Sequence, residues 1–320
     1  MLSSHDLFDI PGDICFLYAA SYSPLPLATL DAGRKAVARK GRPWLIDQEF
    51  ATNQYDHTRN AAARLMNADP EDVALISSVG YGIATAAKIL PVPSSSRVLV
   101  LQDDHSSPVL EWMTRASAGD FAVETVRRPG NGDRTEALLT AIERTRAAPV
   151  AIVSISSVHW SDGGLVNLDL VAPAVRARGA ALLIDATHSA GVTKLDVRAL
   201  DPDFVVFPTY KWLLGPYGRA FLYISKRHQG GIPLEQTSYG RRAVRAEQDV
   251  YFSDANYVDG ARRFDMGERD HFISMEMASI GMEMMAEWGS QVIVERLASL
   301  TERLSDGLRS ATVNIPEGSG

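Results

Sequence analysis

The chain has 320 residues, and its 32 basic and 39 acidic side chains give a formal net charge of −7, an acidic balance that argues against a nucleic-acid-binding protein. Hydrophobic residues make up 46% and charged residues 22%, which is typical of a globular chain with a large core and excludes wholesale disorder. The single cysteine, Cys15, excludes an intramolecular disulfide framework, and no apolar stretch is as long as a membrane-spanning helix requires.

Strand-sized apolar runs alternate with helical patterns along most of the chain. Continuous apolar runs are typical of strands buried on both faces, and their alternation with helices predicts a mostly parallel sheet covered on both sides. The predicted helices cover residues 28–39, 48–66, 108–118, 135–146 and 168–178, with one more that begins near Ile83. The predicted strands cover residues 73–76, 98–101, 121–126, 150–155, 181–184, 204–207 and 220–224.

The sequence pattern changes after Gly230. Residues 239–269 are rich in Arg, Asp, Gly and Tyr without a clear period, which predicts a long loop near a site or an interface. Residues 273–288 then predict a Met-rich apolar helix, and residues 292–308 predict an amphipathic one.

Three of the predicted strands are followed by residues that suit a binding site. Asp185 directly follows the strand at 181–184, and Lys211, with aromatic neighbours, follows the strand at 204–207. The small residues of segment 77–82 follow the first strand and lead into a helix. Because ligands of such sheets bind outside the carboxyl ends of the strands, we expect these residues to lie together.

Together these features match what pyridoxal phosphate requires. Lys211 offers an amine for the aldehyde, Asp185 a carboxylate for the ring nitrogen, and the helix N-terminus an anion site for the phosphate. Each feature alone has an ordinary explanation: residues 80–82 as a simple strand–helix connection, Asp185 as a helix cap, Lys211 as a surface lysine. Their joint occurrence in this order favours the cofactor.

Residues 182–191 (Leu-Leu-Ile-Asp-Ala-Thr-His-Ser-Ala-Gly), 209–213 (Thr-Tyr-Lys-Trp-Leu) and 215–218 (Gly-Pro-Tyr-Gly) resemble the class V aminotransferase-fold enzymes. That group includes cysteine desulfurases, kynureninases and isopenicillin-N-epimerase-like proteins. The resemblance extends from Phe16 to Gly267 and implies the α/β architecture called fold type I, with a seven-stranded mixed sheet, a small domain from the termini, and a homodimer with sites at the subunit boundary. We accordingly divide the chain into an N-terminal segment (1–25), a large domain (26–260) and a C-terminal small-domain portion (261–320).

The resemblance also implies roles for individual residues. Lys211 would bind the cofactor covalently and, once freed by substrate, move the α-proton, while Asp185 would pair with the ring nitrogen and His188 would lie near the phenolic oxygen. His105, within one residue of register, would stack on the cofactor ring, although a polar loop residue is an equal alternative. The implied phosphate contacts are Tyr210, Thr209, Ser78 and the backbone of Val79, Gly80 and Tyr81.

The substrate would lie among residues beyond the cofactor. His159 and Trp160 follow the strand at 150–155 and are expected to line the substrate space. The family's small domain normally extends further and supplies an arginine for the substrate carboxylate, so we expect this chain to be a shortened form. The remaining candidates for the carboxylate are Arg241, Arg242, Arg262 and Arg263.

Two further departures from the family bear on the reaction. Glu268 stands where the family often has a threonine that reaches the partner's phosphate. Cys15 is too early in the chain to be the mobile cysteine of desulfurases, which argues against persulfide chemistry on a protein thiol. The absence of a late cysteine, together with His188 in place of glutamine, favours the epimerase-like branch.

The predicted reaction is therefore α-proton abstraction from a small amino acid or amino-acid conjugate, followed by epimerisation or by β-elimination of the C–S lyase type. Transamination is the first alternative, and a non-catalytic scaffold that kept the fold is the second. No motif for zinc, for a serine hydrolase or for nucleotide phosphates is present, so no metal is expected. The N-terminal residues lack a secretory signal, and we expect a cytoplasmic enzyme without a membrane or nucleic-acid partner.

Overall fold

The computed structural model describes residues 4–243, 252 and 254–311. A seven-stranded sheet in the order β1-β7-β6-β5-β4-β2-β3 lies at its centre. Strand β7 pairs antiparallel with both β1 and β6, and the other neighbours pair in parallel, so the sheet is mixed as expected. The strands are β1 (Val73–Ile76), β2 (Ser96–Leu101), β3 (Phe121–Val126), β4 (Val150–Ser156), β5 (Ala181–Asp185), β6 (Phe204–Pro208) and β7 (Ala220–Ile224).

Helices cover both faces of this sheet, which confirms the predicted layers. Side chains of α2, α5, α6 and α8 form one buried cluster against the sheet, and side chains of α3 and α4, including the fully buried Trp112, form another. The helices are α1 (Leu27–Lys40), α2 (Gln48–Leu65), α3 (Val79–Ile89), α4 (Ser106–Ala116), α5 (Arg134–Glu143), α6 (Leu168–Ala177), α7 (Val197–Leu200), α8 (Phe272–Trp288) and α9 (Ser290–Ser310).

The strand directions bring the connections after six strands to one edge of the sheet, since β3 is also parallel to β2. Strands β2, β4, β5 and β6 run in parallel, and β1 runs with them because β7 is antiparallel to both β1 and β6. The segments that follow these strands therefore leave from the same edge. The predicted meeting of the three strand ends is thus confirmed by the topology.

Two local predictions differ from the structure. Helix α3 begins at Val79 rather than near Ile83, because the Ser78 side chain caps it by accepting a hydrogen bond from the Tyr81 N–H at 3.1 Å. The expectation of an irregular loop over 239–269 is wrong at β8 (Arg241–Ala243) and β9 (Asp254–Tyr257), which pair antiparallel. The strands are only three and four residues long, too short to show a period, and the cross-strand contact of Arg241 with the Tyr257 ring stabilises the pair.

Residues 244–251 and 253 of that expected loop lie outside the described part of the chain, as do residues 312–320 of the expected small-domain portion. The division into segments at residues 25 and 260 stays a prediction. Within the described ranges, no helix combines the length and the apolar character needed to cross a bilayer.

Candidate active site

Lys211 lies just beyond the end of β6 and is 8% exposed. Its Nζ is 2.9 Å from Nε2 of His188 and forms no ion pair with a carboxylate of the described residues. Burial lowers the pKa of the Lys211 amine, and the charge of Asp185 only partly opposes this shift. A lowered pKa increases the neutral fraction of the amine, which is the nucleophilic form.

Asp185 is the last residue of β5 and is 2% exposed. Its Oδ1 accepts hydrogen bonds from the Thr187 N–H at 2.9 Å and from the Thr187 hydroxyl. Burial raises the pKa of Asp185 to about 6, although the Thr187 bonds and Lys211 act in the opposite direction. No arginine or lysine of the described residues forms an ion pair with this carboxylate, so a cationic group placed against it would recover part of the cost of burial.

The charge of the Lys211 amine acts on two imidazoles, those of His188 and His105. Burial, together with the Lys211 charge, lowers the pKa of His188 to about 4, so its ring is neutral at pH 7. The same causes lower the pKa of His105, which stands at the N-terminus of α4 without capping it. A neutral His188 leaves one ring nitrogen free to accept a proton or a hydrogen bond from the amine.

The N-terminus of α3 lies at the same edge of the sheet. The N–H groups of Val79 and Gly80 belong to the first helical turn and have no acceptor inside the helix. A Cβ at Gly82 would come within 2.7 Å of Cγ2 of Val206, so only glycine lets this turn pack so closely on β6. Free N–H groups and the positive end of the helix dipole together suit a phosphate.

The two residues before Lys211 have different partners. The hydroxyl of the fully buried Thr209 donates to the Pro216 carbonyl at 2.7 Å, so it stabilises the turn after the lysine. The Tyr210 ring stacks on Tyr217 at 4.0 Å between centroids and lies 5.9 Å from Nζ of Lys211. Tyr210 is therefore a neighbour of the amine, whereas the Thr209 hydroxyl is already engaged.

The four arginines proposed for the substrate carboxylate have partners other than the residues around Lys211. Arg262 forms ion pairs with Asp56 at 2.9 Å and Glu71 at 2.7 Å, and these carboxylates raise its pKa. Arg241 contacts Gln236 and Tyr257, Arg242 contacts Asp259, and Arg263 contacts the Tyr257 ring. Within the described residues, none of these four arginines contacts Lys211, Asp185 or His188.

One residue of this edge was missed in the sequence. Asp104 follows β2, and its carboxylate accepts hydrogen bonds from the N–H of Ser156 at 2.9 Å and from the Ser156 hydroxyl at 2.6 Å. Its charge also contributes to the raised pKa of Asp185. An acidic residue close after a buried strand is the signal that identified Asp185, and applied to β2 it would have pointed to Asp103 and Asp104.

The family model "Aminotransferase class-V" matches residues 16–314. The chain is 29% identical over 317 residues to a probable cysteine desulfurase of Methanothermobacter thermautotrophicus, covering 96% of this chain and 75% of that protein. It is 26% identical to the kynureninase of Deinococcus radiodurans, covering 92% and 71%.

A solved apo structure of a cysteine desulfurase from Thermococcus onnurineus superposes with a TM-score of 0.79 at 19% identity, over 94% of this chain and 74% of that one. This likeness confirms the predicted fold, type I. The chain spans 65% to 75% of the length of the first three curated relatives that it matches.

Proposed function

This chain belongs to the aminotransferase class-V family of pyridoxal-phosphate enzymes, and from that premise we propose that it removes the α-proton of a small amino acid or amino-acid conjugate and then eliminates a β-substituent. Release of a thiol from a cysteine conjugate, a C–S lyase reaction, is the favoured form of this elimination. Epimerisation at the α-carbon begins with the same proton transfer and is the other outcome of the proposal.

The residues of the candidate site fit pyridoxal phosphate. Among the described residues, the Lys211 amine has no carboxylate partner and the buried Asp185 carboxylate has no cationic one. The first turn of α3 offers N–H groups for the phosphate, next to Ser78. When bound, the cofactor supplies an electron sink for the negative charge that develops at the α-carbon of the substrate.

The contact between Lys211 and His188 is the observation that supports α-proton chemistry. A neutral amine at Nζ can take the α-proton, because burial keeps its pKa low. Nε2 of His188, 2.9 Å away, accepts a hydrogen bond from this amine and so holds it in one direction. The low pKa of His188 keeps that acceptor available at neutral pH.

Two findings favour elimination over transamination. The relatives include a protein named as a cysteine desulfurase and another named as a kynureninase, and one similar solved structure is titled as a cystine C–S lyase. The one cysteine of the chain, Cys15, is exposed in the N-terminal segment, which favours release of the sulfur product over its transfer to a protein thiol. Transamination is the alternative reaction, and a non-catalytic scaffold is the second.

We also propose a homodimer. Residues of the N-terminal segment with apolar or aromatic side chains are exposed in the single chain, and an apolar surface of this kind is typical of an interface. Those residues are Ile14, Phe16, Leu17, Tyr18 and Tyr22.

Absorbance spectra and product analysis of the wild type and of Lys211→Ala, with amino acids and thioether conjugates, test the proposal. The wild type is expected to bind the cofactor covalently and to release a keto acid, ammonia and thiol, or to racemise the substrate. Lys211→Ala is expected to form no covalent link to the cofactor and to catalyse neither reaction. Lys226→Ala, a change at an exposed lysine, is the matched control and should behave as the wild type.

Other outcomes contradict the proposal in distinct ways. Accumulation of the amine form of the cofactor, reversed by an added keto acid, would establish transamination instead. A purified protein that stays colourless after incubation with the cofactor would favour the scaffold.

A further inference from the structure

His159 and Trp160 were expected to line the substrate space, but their hydrogen bonds are to the turn that precedes His105. This turn, residues 102–104, connects β2 to His105 and α4. Three consecutive positions of it are bonded to the last residue of β4 or to the segment that follows this strand. The Gln102 carbonyl is 3.0 Å from Nε2 of His159, the Asp103 carbonyl accepts from Nε1 of Trp160 at 2.7 Å, and the Asp104 carboxylate accepts from Ser156.

Both ring nitrogens of His159 are used in these contacts. Because a carbonyl can only accept, Nε2 must donate to Gln102, and Nδ1 then accepts from the Ser161 hydroxyl at 2.9 Å. The side chain is 1% exposed. His159 therefore has neither a free nitrogen nor an accessible surface for a substrate.

Trp160 supports His105 directly as well as through the turn. Its ring meets the His105 ring edge to face, with centroids 6.4 Å apart and an angle of 88°. Its Nε1–H holds the carbonyl of Asp103, which has a φ of 55°. A non-glycine residue in this left-handed region is strained, so it persists only where surrounding contacts fix it.

His105 is the side chain that this arrangement orients. The backbone N–H of His105 donates to Oδ1 of Asp104 at 2.7 Å. The turn therefore fixes the position of the His105 backbone. His105 directly follows Asp104, whose carboxylate is bonded to Ser156, and Ser156 pairs with Asp185 on the neighbouring strand β5. The turn therefore places His105 at the end of the sheet that holds Asp185, and the Lys211 charge that lowers the pKa of His105 agrees with this placement.

We infer that His159 and Trp160 are positioning residues, which hold the 102–104 turn through their ring N–H groups and thereby fix the His105 ring at the N-terminus of α4, on the side of the candidate site. The inference rests on the proposed function only in that His105 faces the cofactor. The fixing of the turn itself is a property of the protein without cofactor.

Trp160→Phe tests this inference, because it keeps an aromatic ring and removes the Nε1–H together with the rest of the five-membered ring of the indole. In the apoprotein, hydrogen exchange of the amides of residues 102–107 is expected to rise about five-fold, the effect of losing one neutral hydrogen bond. In the cofactor-loaded protein, the circular dichroism of the cofactor band should change and its Kd should rise about five-fold. Trp44→Phe, a change at a tryptophan that is 76% exposed, is the control and should leave all three unchanged.

Two further variants separate positioning from other roles. Trp160→Phe should have no added effect on Kd or on circular dichroism in a His105→Ala background, because it acts through that ring. His159→Leu should reproduce the faster exchange. His159→Gln, which keeps an N–H donor, should return the exchange to the slow rate of the wild type.

Unchanged exchange and an unchanged cofactor band in Trp160→Phe, with or without a raised KM for substrate, would overturn the inference. A full effect of Trp160→Phe on Kd in the His105→Ala background would also overturn it. Since the exchange experiment uses apoprotein, failure of the proposed function at Lys211 would not alter its result, and the two failures are distinguishable.

Discussion

Asp185 shows that one side chain can lower stability and serve the site at the same time. Its carboxylate is buried against two Thr187 donors, no cation of the described part of the chain forms an ion pair with it, and burial raises its pKa to about 6. In the unfolded chain an aspartate has a pKa of about 3.9. The unfolded state therefore ionises first, and this group makes the apoprotein progressively less stable as pH rises from about 4 through 6.

Asp185→Asn is expected to stabilise the apoprotein at pH 8 by about 2 kcal/mol, because the amide retains an acceptor for Thr187 and has no charge to bury. The difference between the variant and the wild type in the free energy of unfolding should shrink toward pH 4, where both side chains are neutral. Cofactor affinity should fall, since the cationic ring nitrogen loses its partner. Urea unfolding at several pH values and cofactor titration measure these effects.

Asp133→Asn is the control for this change, because Asp133 is an exposed cap of α5 and asparagine caps equally well. A wild type that is more stable than Asp185→Asn at pH 8 would contradict the account of Asp185.

At the scale of elements, the lysine loop is fixed by the packing of α8. A Cβ at Gly281 would lie 2.0 Å from the Leu213 carbonyl, two residues beyond Lys211. Helix α8 therefore contacts the backbone of this loop, and glycine is required at the contact. The same helix contributes Met275, Met282 and Met285 to the core.

Gly281→Ala is expected to destabilise the protein by about 3 kcal/mol and to weaken cofactor binding, because either α8 or the lysine loop must move. Gly307→Ala in the exposed part of α9, where a Cβ meets nothing within 4 Å, should instead stabilise by about 1 kcal/mol through helix propensity. Thermal unfolding of both variants measures the contrast. Equal effects would mean that the close packing at Gly281 is not what restricts the loop.

A strand or helix could be predicted from the sequence where its hydrophobic pattern extended over enough residues. All seven strands of the main sheet were predicted from apolar runs such as Val73–Ile76, and helices α3 to α6 from the helical patterns between them. The four-residue helix α7 was not predicted, because one turn is too short to show a period. The short strands β8 and β9 were not predictable, since three or four polar residues show no period and their pairing depends on residues far apart in sequence. The start of α3 depended on one capping contact of Ser78.

The candidate site was partly predictable for a related reason. Residues directly after buried strands, Asp185 and Lys211, follow from topology alone. The partners of His159 and Thr209 depend on loop conformation, and for this reason both were expected to face ligands but instead hold turns in place.

At the scale of the whole molecule, a buried ion pair joins three distant segments. Asp265 accepts from Arg59 of α2 at 2.8 Å and 3.1 Å and from the Leu75 N–H of β1 at 2.8 Å. Burial alone would raise the pKa of Asp265, but Arg59 and Arg269 outweigh burial and the pKa is lowered. The contact ties the segment after residue 260 to the first strand of the sheet.

Asp265→Asn should lower the free energy of unfolding by about 3–5 kcal/mol, because it leaves the fully buried Arg59 without a compensating charge. Asp306→Asn removes an exposed ion pair with Arg309 and should change the free energy of unfolding by less than about 1 kcal/mol. Chemical denaturation of the two variants compares them. A small effect at Asp265 would contradict the view that this ion pair holds the three segments together.

The most direct test of the account is to identify the atom that holds the cofactor. The protein loaded with pyridoxal phosphate is reduced with borohydride, digested, and mapped by mass spectrometry. We expect the cofactor on Nζ of Lys211 and on no other lysine, including Lys88 and Lys226. Recovery of an unmodified Lys211 peptide, or of the cofactor on a different lysine, would contradict the assignment of this edge of the sheet as the active site.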